Sequence, residues 1–175
     1  GTAASLTFAV ESTTRLNNLG GGRISGKSEG STRVKVTTHN GKTALITVYI
    51  RKAPTSFKVL CDKSTVYEND TLTFTISAAS NTAAEYTFTS SKPDVVAVNP
   101  DGTATALAAG TAVVTARSHN GVTASYSVEV YKHVASLSLA ATELTLVRLQ
   151  DITIECTVYP EDAHNKAITW SSSDE

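Results

Sequence analysis

The sequence predicts an all-β protein built from small antiparallel β-sandwiches set in series, and three observations carry that reading. Short runs of alternating apolar and polar residues recur between turn signals at spacings of 8 to 12 residues. Thr, Val, Ala and Ser dominate the 175 residues, Met is absent, and runs of helix-forming Leu, Glu, Lys and Gln are scarce. The sequence also repeats itself: Phe8, Gly22, Gly30 and His39-Asn40-Gly41 return 80 positions later as Phe88, Gly102, Gly110 and His119-Asn120-Gly121. A repeat of that size favours small domains in series, with boundaries at 1-52, 53-131 and 132-175. The middle segment is one complete repeat, the first holds only later strands and the third only earlier ones.

Residues 1-52 open with Ser5 to Phe8, followed by Thr14 to Leu19, which correspond to Asp94 to Asn99 although Asn18 replaces the apolar Val98. Gly20, Gly21 and Gly22 take the turn made later by Pro100, Asp101 and Gly102. From Arg33 to Thr37 the alternation is strict, with Val34 and Val36 on one face. Asn40-Gly41 then accepts positive φ in a tight hairpin. The return strand places Ala44, Ile46, Val48 and Ile50 inward.

Arg51-Lys52-Ala53-Pro54 is a short joint in which Pro54 pre-sets φ and no glycine loosens the chain. The complete repeat puts Phe57 and Val59 on one face of its first strand, then Leu72, Phe74 and Ile76, Tyr86 and Phe88, and Val96 and Val98. After Asp101-Gly102, Val114 and Ala116 occupy the positions of Val34 and Val36, and the last strand presents Ala124, Tyr126, Val128 and Val130. Lys132 and His133 form the next joint. In the third segment Leu137 and Leu139 match Phe57 and Val59, Ile154, Cys156 and Val158 match Leu72, Phe74 and Ile76, and Trp170 matches Phe88. The register slips by two residues on the way, which places the insertion in the turn before Asp151.

The chemistry-bearing residues have simpler readings than catalysis. His39 and His119 recur because they flank a hairpin turn, and neither has a partner at metal-ligand spacing. Asp70 with Glu68, Asp94, Asp101, and Asp162 with Glu161 read as solvated turn carboxylates, with Ca²⁺ at a domain joint the weaker alternative. No serine sits in a nucleophile elbow or has a His and carboxylate in register, and the carboxylates do not pair for acid-base work. Trp170, Phe88, Phe8 and Tyr86 read as central packing residues of a sandwich, with sugar stacking the weaker reading. Gly20 to Gly22 has no following helix to cradle phosphate. Asn69-Asp70-Thr71 is a formal glycosylation triplet.

Cys61 falls opposite Ala141 and Cys156 opposite Phe74 of the neighbouring copies, so the two cysteines do not recur with the repeat and are expected as reduced, packing thiols. The net charge of −1 and the lack of a basic cluster give nucleic-acid binding no support. No apolar run is long enough to cross a bilayer, and no charged start with an apolar stretch marks a secretion signal. No catalytic residue, cofactor site or metal site is assigned.

The residues are specific enough for a resemblance. Tyr159-Pro160-Glu161-Asp162-Ala163 and Ile168-Thr169-Trp170-Ser171-Ser172-Ser173-Asp174 resemble the "YPxxA…TWSSSD" hallmark of bacterial Ig-like domains of group 2. The middle stretch SSKPDVVAVNPDGTATALAAGTAVVTA is similar to that family's "SSDPSVATVDxxGxVTALAAGTATITA". Phe88 and Phe8 replace the usual Trp, and Thr89 the first Ser. The resemblance covers the chain as one full and two part copies. It implies tandem Ig-like antiparallel β-sandwiches of a cell-surface or secreted bacterial protein, of the kind found in intimin and invasin adhesins. Strands that leave from opposite poles would make the module a non-enzymatic stalk projecting a distal domain. The alternative is a carbohydrate-binding or adhesive accessory module, as in surface-anchored glycosidases. Expected partners are neighbouring Ig-like repeats and a host or cell-surface protein or glycan, with head-to-tail self-association through the part repeats.

Overall fold

The computed structural model describes residues 6–173. Ser5 and Asp174 lie outside the described residues. Those residues form strands and turns and no helix, and they divide into two compact units, one of the residues up to 55 with 78–85 and one of 56–77 with the residues from 86 on.

The first unit contains β1 (Leu6–Val10), β2 (Leu16–Gly20), β3 (Arg23–Gly26), β4 (Gly30–Thr38) and β5 (Thr43–Ile50). Strands β1, β4 and β5 make an antiparallel sheet in that order, and β2 pairs with β3 as a hairpin. Leu16 and Val34 are buried. Lys27 N–H donates to Arg15 O at 2.7 Å, and the Arg15 guanidinium donates to Glu29 O beside Gly30. The expectation of an inward β5 face fails in part. Ile46 is 59 % exposed and Ala44 is exposed too, because no second sheet covers that half of the strand; only Val48 and Ile50 are half-buried.

The second unit holds the closed sandwich. Its strands are β6 (Phe57–Cys61), β7 (Val66–Tyr67), β8 (Thr71–Ala78), β9 (Tyr86–Ser90), β10 (Val96–Val98), β11 (Thr103–Ala106), β12 (Gly110–Ser118) and β13 (Thr123–Tyr131). One sheet runs β10-β11-β8-β6 and the other β7-β13-β12-β9. That strand order is the Ig-like one, with β7 joining β13 in parallel while β8, β9, β10, β11 and β12 pair antiparallel. The two inner faces meet in one apolar cluster that includes Phe57, Leu72, Phe74 and Val96 from the first sheet and Phe88, Val114, Ala116 and Val128 from the second. Val114, Val96 and Ala116 are fully buried, so the strict alternation on β12 and β13 is the alternation of core and solvent. Phe57 and Tyr86 meet edge to face at 5.0 Å, an arrangement that adds about 0.5–1.5 kcal/mol beyond the area buried.

The hydrogen-bond registers of the two units coincide at the spacing of the sequence repeat. Gly30 faces Ile50 as Gly110 faces Val130, and Phe8 faces Val36 as Phe88 faces Ala116. The hairpin closes with Gly41 N–H on Thr38 O in one and Gly121 N–H on Ser118 O in the other, 3.0 and 2.9 Å. The aromatic and the turn glycine also stay matched. A side chain on Gly102 (φ 92°) would meet the backbone oxygen of Phe74 at 2.6 Å and the Phe88 ring at 3.0 Å, and one on Gly22 (φ 83°) would meet the Phe8 ring at 3.1 Å. Only a residue without Cβ fits over the ring with that backbone.

Beyond β13 lie β14 (Ser136–Leu139) and β15 (Cys156–Tyr159), paired antiparallel with Leu137 opposite Val158 and Leu139 opposite Cys156. This ladder corrects the position of the slip. Ala140 N–H donates to Glu155 O as Asp62 N–H donates to Thr73 O, which is the same antiparallel ladder with both strands moved by the repeat length. Ile152, Ile154 and Cys156 therefore stand where Leu72, Phe74 and Ile76 stand. The two extra residues enter after Tyr159, around the turn at Pro160 to Lys166, and not before Asp151. Trp170 also departs from expectation, being 55 % exposed and outside any strand, and Ile154 is 45 % exposed. Both thiols are free and half-buried, and burial pushes the Cys61 thiol above its ordinary pKa, with the Asp62 carboxylate adding to it.

Candidate functional site

The most connected polar and aromatic cluster in the second unit lies where β13 leaves the sandwich. Consecutive residues of one strand pair with two different partners: Tyr131 lies beside Tyr67 on β7 in the parallel bridge, and Lys132 bridges Ala163 in the turn after β15, again in parallel. His164 N–H donates to Lys132 O at 3.2 Å and Ala135 N–H to Tyr159 O at 2.8 Å. Ala163 is buried. No residue is left over between the last bond of the sandwich and the first bond of the next segment.

Aromatic rings close over this backbone. His133 stacks on Tyr67 with ring centroids 4.1 Å apart and 15° between planes, and His164 stacks on Tyr131 at 3.7 Å and 27°. Tyr67 and Tyr131 lie 6.2 Å apart, so the four rings form one group. Tyr67 is held by the turn after it, in which Asn69 takes φ 70°. There Asp70 accepts Tyr67 N–H at 2.8 Å and pairs with Lys63 Nζ at 2.6 Å; Lys63 first, then Tyr67 N–H, hold its carboxyl below the usual carboxylate range. Glu68 N–H donates to Tyr131 O at 3.0 Å while the Glu68 carboxylate accepts Ala109 N–H at 2.9 Å.

Across the joint Lys132 Nζ lies 2.7 Å from Asp162 Oδ2. This hydrogen-bonded pair lowers the pKa of Asp162 and raises that of Lys132. Tyr131 Oη donates to Glu129 at 2.7 Å, which pushes its phenol upward. The first unit repeats the backbone part of the joint: Lys52 bridges Thr82 in parallel, Ala83 N–H donates to Lys52 O at 2.9 Å, and Arg51 reaches Ser80 O at 2.8 Å. The Lys52 ammonium pairs with Glu29 there, at 3.4 Å.

The residues singled out in the sequence are dispersed. His39 and His119 sit exposed at the two hairpin tips. Asp101 caps its own turn by accepting Thr103 N–H at 3.0 Å and the Thr103 hydroxyl at 2.7 Å, the cause of its lowered pKa. Of the carboxylates, Asp70 and Glu68 serve the β7 turn and Asp162 the joint. Among the described residues no three His, Cys, Asp or Glu side chains gather to hold a metal ion. Phe88 is core, Tyr86 is half-buried against Phe57, Phe8 is half-buried, and Trp170 is open. Gly20 to Gly22 turn the β2-β3 hairpin. The four-ring group was missed, although His133 beside the joint lysine was a signal; its partners come from positions far apart in sequence.

One surface feature of the first unit has the makings of a ligand site. Tyr49, 69 % exposed, lines an open cleft of ≈ 340 Å³ with Glu29, Gly30, Ser31, Ile50, Arg51 and Asn81. An exposed ring beside a carboxylate, a guanidinium and an amide is the combination that stacks on and hydrogen-bonds to a sugar.

No family model matches the chain, and no curated protein matches it. Among solved structures it is similar to domains 1-6 of the surface layer protein SbsC, at 21 % identity and TM-score 0.39 over 89 % of this chain and 26 % of that one. The S-layer protein rSbsC(31-844) gives 22 % and 0.40 over 89 % and 26 %. The C-terminal 282-residue fragment of intimin, solved with the intimin-binding domain of its translocated receptor, gives 12 % and 0.37 over 79 % and 55 %. The chain thus spans about a quarter of the two surface-layer chains and about half of the intimin fragment.

Proposed function

We propose that this chain is a non-enzymatic, load-bearing spacer of a bacterial cell-surface or secreted protein. In this reading it consists of group 2 bacterial Ig-like repeats in tandem, bounded at 1-52, 53-131 and 132-175, and it holds a distal domain away from the cell. The sequence motifs support the family and the extracellular setting.

The observation that carries the mechanical part is the parallel pairing of β7 with β13, continued at once by the Lys132 bridge. β7 belongs to the incoming end of the sandwich and β13 to its outgoing end. Tension along the chain pulls two parallel strands past each other, so their bonds are loaded together in shear and do not open one after another. Because Lys132 is already bonded to the next segment, the load passes on without a slack linker.

Pulling the chain from its two ends in a single-molecule experiment tests this. The sandwich should rupture in one event, and Glu68→Pro, which removes the N–H bonded to Tyr131 O, should lower the rupture force. Equal rupture forces would overturn the load-bearing reading.

The Tyr49 cleft favours a second reading, a carbohydrate-binding accessory module. Saturable binding on a glycan array that disappears in Tyr49→Ala would establish it in place of the spacer.

A further inference from the structure

The ring group at the exit of the second sandwich is not required by the fold. Arg51, Ala53 and Ala83 stand in the first unit where Tyr131, His133 and His164 stand in the second, by repeat position and by the matching bonds of Ala83 N–H to Lys52 O and His164 N–H to Lys132 O. Val147 takes the place of Tyr67 in the third segment. The backbone of the joint forms at Lys52 without any of these rings, so the turn itself does not account for two tyrosines brought side by side.

Tyr67 and Tyr131 are direct partners in the parallel bridge of β7 and β13. Their ring centroids lie 6.2 Å apart with 57° between planes, inside the range of about 4.5–7 Å for rings in contact. His133 covers Tyr67 and His164 covers Tyr131, so each phenol is backed by a stacked imidazole. The Tyr131 hydroxyl donates to Glu129 at 2.7 Å, which puts a carboxylate in place to take the phenolic proton. Both rings are half-buried, within reach of a small reagent but shielded from the rings of another chain; the exposed tyrosines are Tyr49 and Tyr159.

We infer that Tyr67 and Tyr131 form a site of oxidative cross-linking, at which a one-electron oxidant, a peroxidase with hydrogen peroxide, joins the two rings as dityrosine. Each phenol gives up one electron and its hydroxyl proton, that of Tyr131 passing to Glu129 and on to solvent. The two phenoxyl radicals couple to form one C–C bond between ortho carbons. Each of those carbons then loses its hydrogen as a proton while the ring oxygen is reprotonated, which restores both phenols. The peroxide accepts the two electrons and two protons, its O–O bond breaks, and it leaves as two waters. The new bond ties β7 to β13 across the strands that tension slides past each other, so hydrogen bonds loaded in shear gain a covalent staple.

Treating the dilute 175-residue protein with a peroxidase and hydrogen peroxide, and following dityrosine fluorescence on a denaturing gel, tests this. The fluorescence should appear in the 18.4 kDa monomer band, and digestion should release a peptide pair joined through Tyr67 and Tyr131 and lighter than its two parts by two hydrogens. Tyr67→Phe and Tyr131→Phe keep a stacking ring, so each should hold the parent circular dichroism spectrum and lose the monomer's dityrosine. Glu129→Gln should still form the product, more slowly. Tyr49→Phe removes the most exposed phenol and should reduce only fluorescence in larger, interchain bands. Dityrosine confined to interchain bands would overturn the inference, as would a monomer product that survives Tyr67→Phe. Its failure would leave the force-bearing reading untouched, because that rests on the hydrogen bonds between β7 and β13.

Discussion

Gly102→Ala is the substitution that most directly tests how the sandwich is closed. The residue sits at φ 92°, a conformation that costs a residue with Cβ about 1–2 kcal/mol. The new methyl would also stand 2.6 Å from Phe74 O and 3.0 Å from the Phe88 ring. The ring can tilt, but the backbone oxygen is held in a ladder whose neighbouring bond, Phe74 N–H to Gly102 O at 2.8 Å, would have to lengthen. Overpacking of this kind adds about 1–3 kcal/mol, for a total near ~3 kcal/mol. Gly22→Ala at the matching position has a similar φ and meets only the Phe8 ring at 3.1 Å, so it should cost the backbone term and little more. Amide exchange of Val114 and Val128 reads the first effect and that of Val34 and Val48 the second. At ~1.4 kcal/mol per tenfold, exchange in the closed sandwich should accelerate by roughly a hundredfold. Equal, small effects in both variants would show that Phe74 O is not the obstacle and refute the argument.

Truncating the central ring, Phe88→Ala, should cost about 3–5 kcal/mol in a denaturant titration of the second unit, since the ring is buried among Phe74, Val114 and Ala116. At the joint, the Lys132–Asp162 pair lowers the carboxyl below 3.8 and raises the ammonium above 10.5. Its contribution is therefore complete between those values. It fades in acid as pH falls through the lowered Asp162 value, and in alkali as pH rises through the raised Lys132 value. Protection of the His164 amide should accordingly drop in acid in the parent and lose that acid step in Asp162→Asn, and an unchanged step would assign it to another group. Both thiols should react with a disulfide reagent without prior reduction, Cys61 more slowly at pH 8 than a free thiol of ordinary pKa.

In the first two segments strand identity, hairpin position and the repeat were legible in the sequence because they are local. The alternation of Val34 and Val36, the Asn40-Gly41 turn and its copy at Asn120-Gly121 fold as read. The slip in the third segment was misplaced for an equally physical reason. Side chains on a strand alternate with period two, so a shift of two residues leaves Ile152, Ile154 and Cys156 on the same face and the sequence cannot register it. Only the β14-β15 ladder located it.

The sequence by itself determined which residues share a face and where the chain turns, because period, glycine φ and β-branching act within a few residues. Which of those faces are covered was decided by tertiary structure. Val114 and Ile46 follow the same alternation, yet one is fully buried and the other open, since burial depends on a second sheet that only the middle sandwich closes. The joint is the same kind of case: Tyr67, Tyr131, His133 and His164 become one stacked group only when β7 pairs with β13 and Lys132 with Ala163.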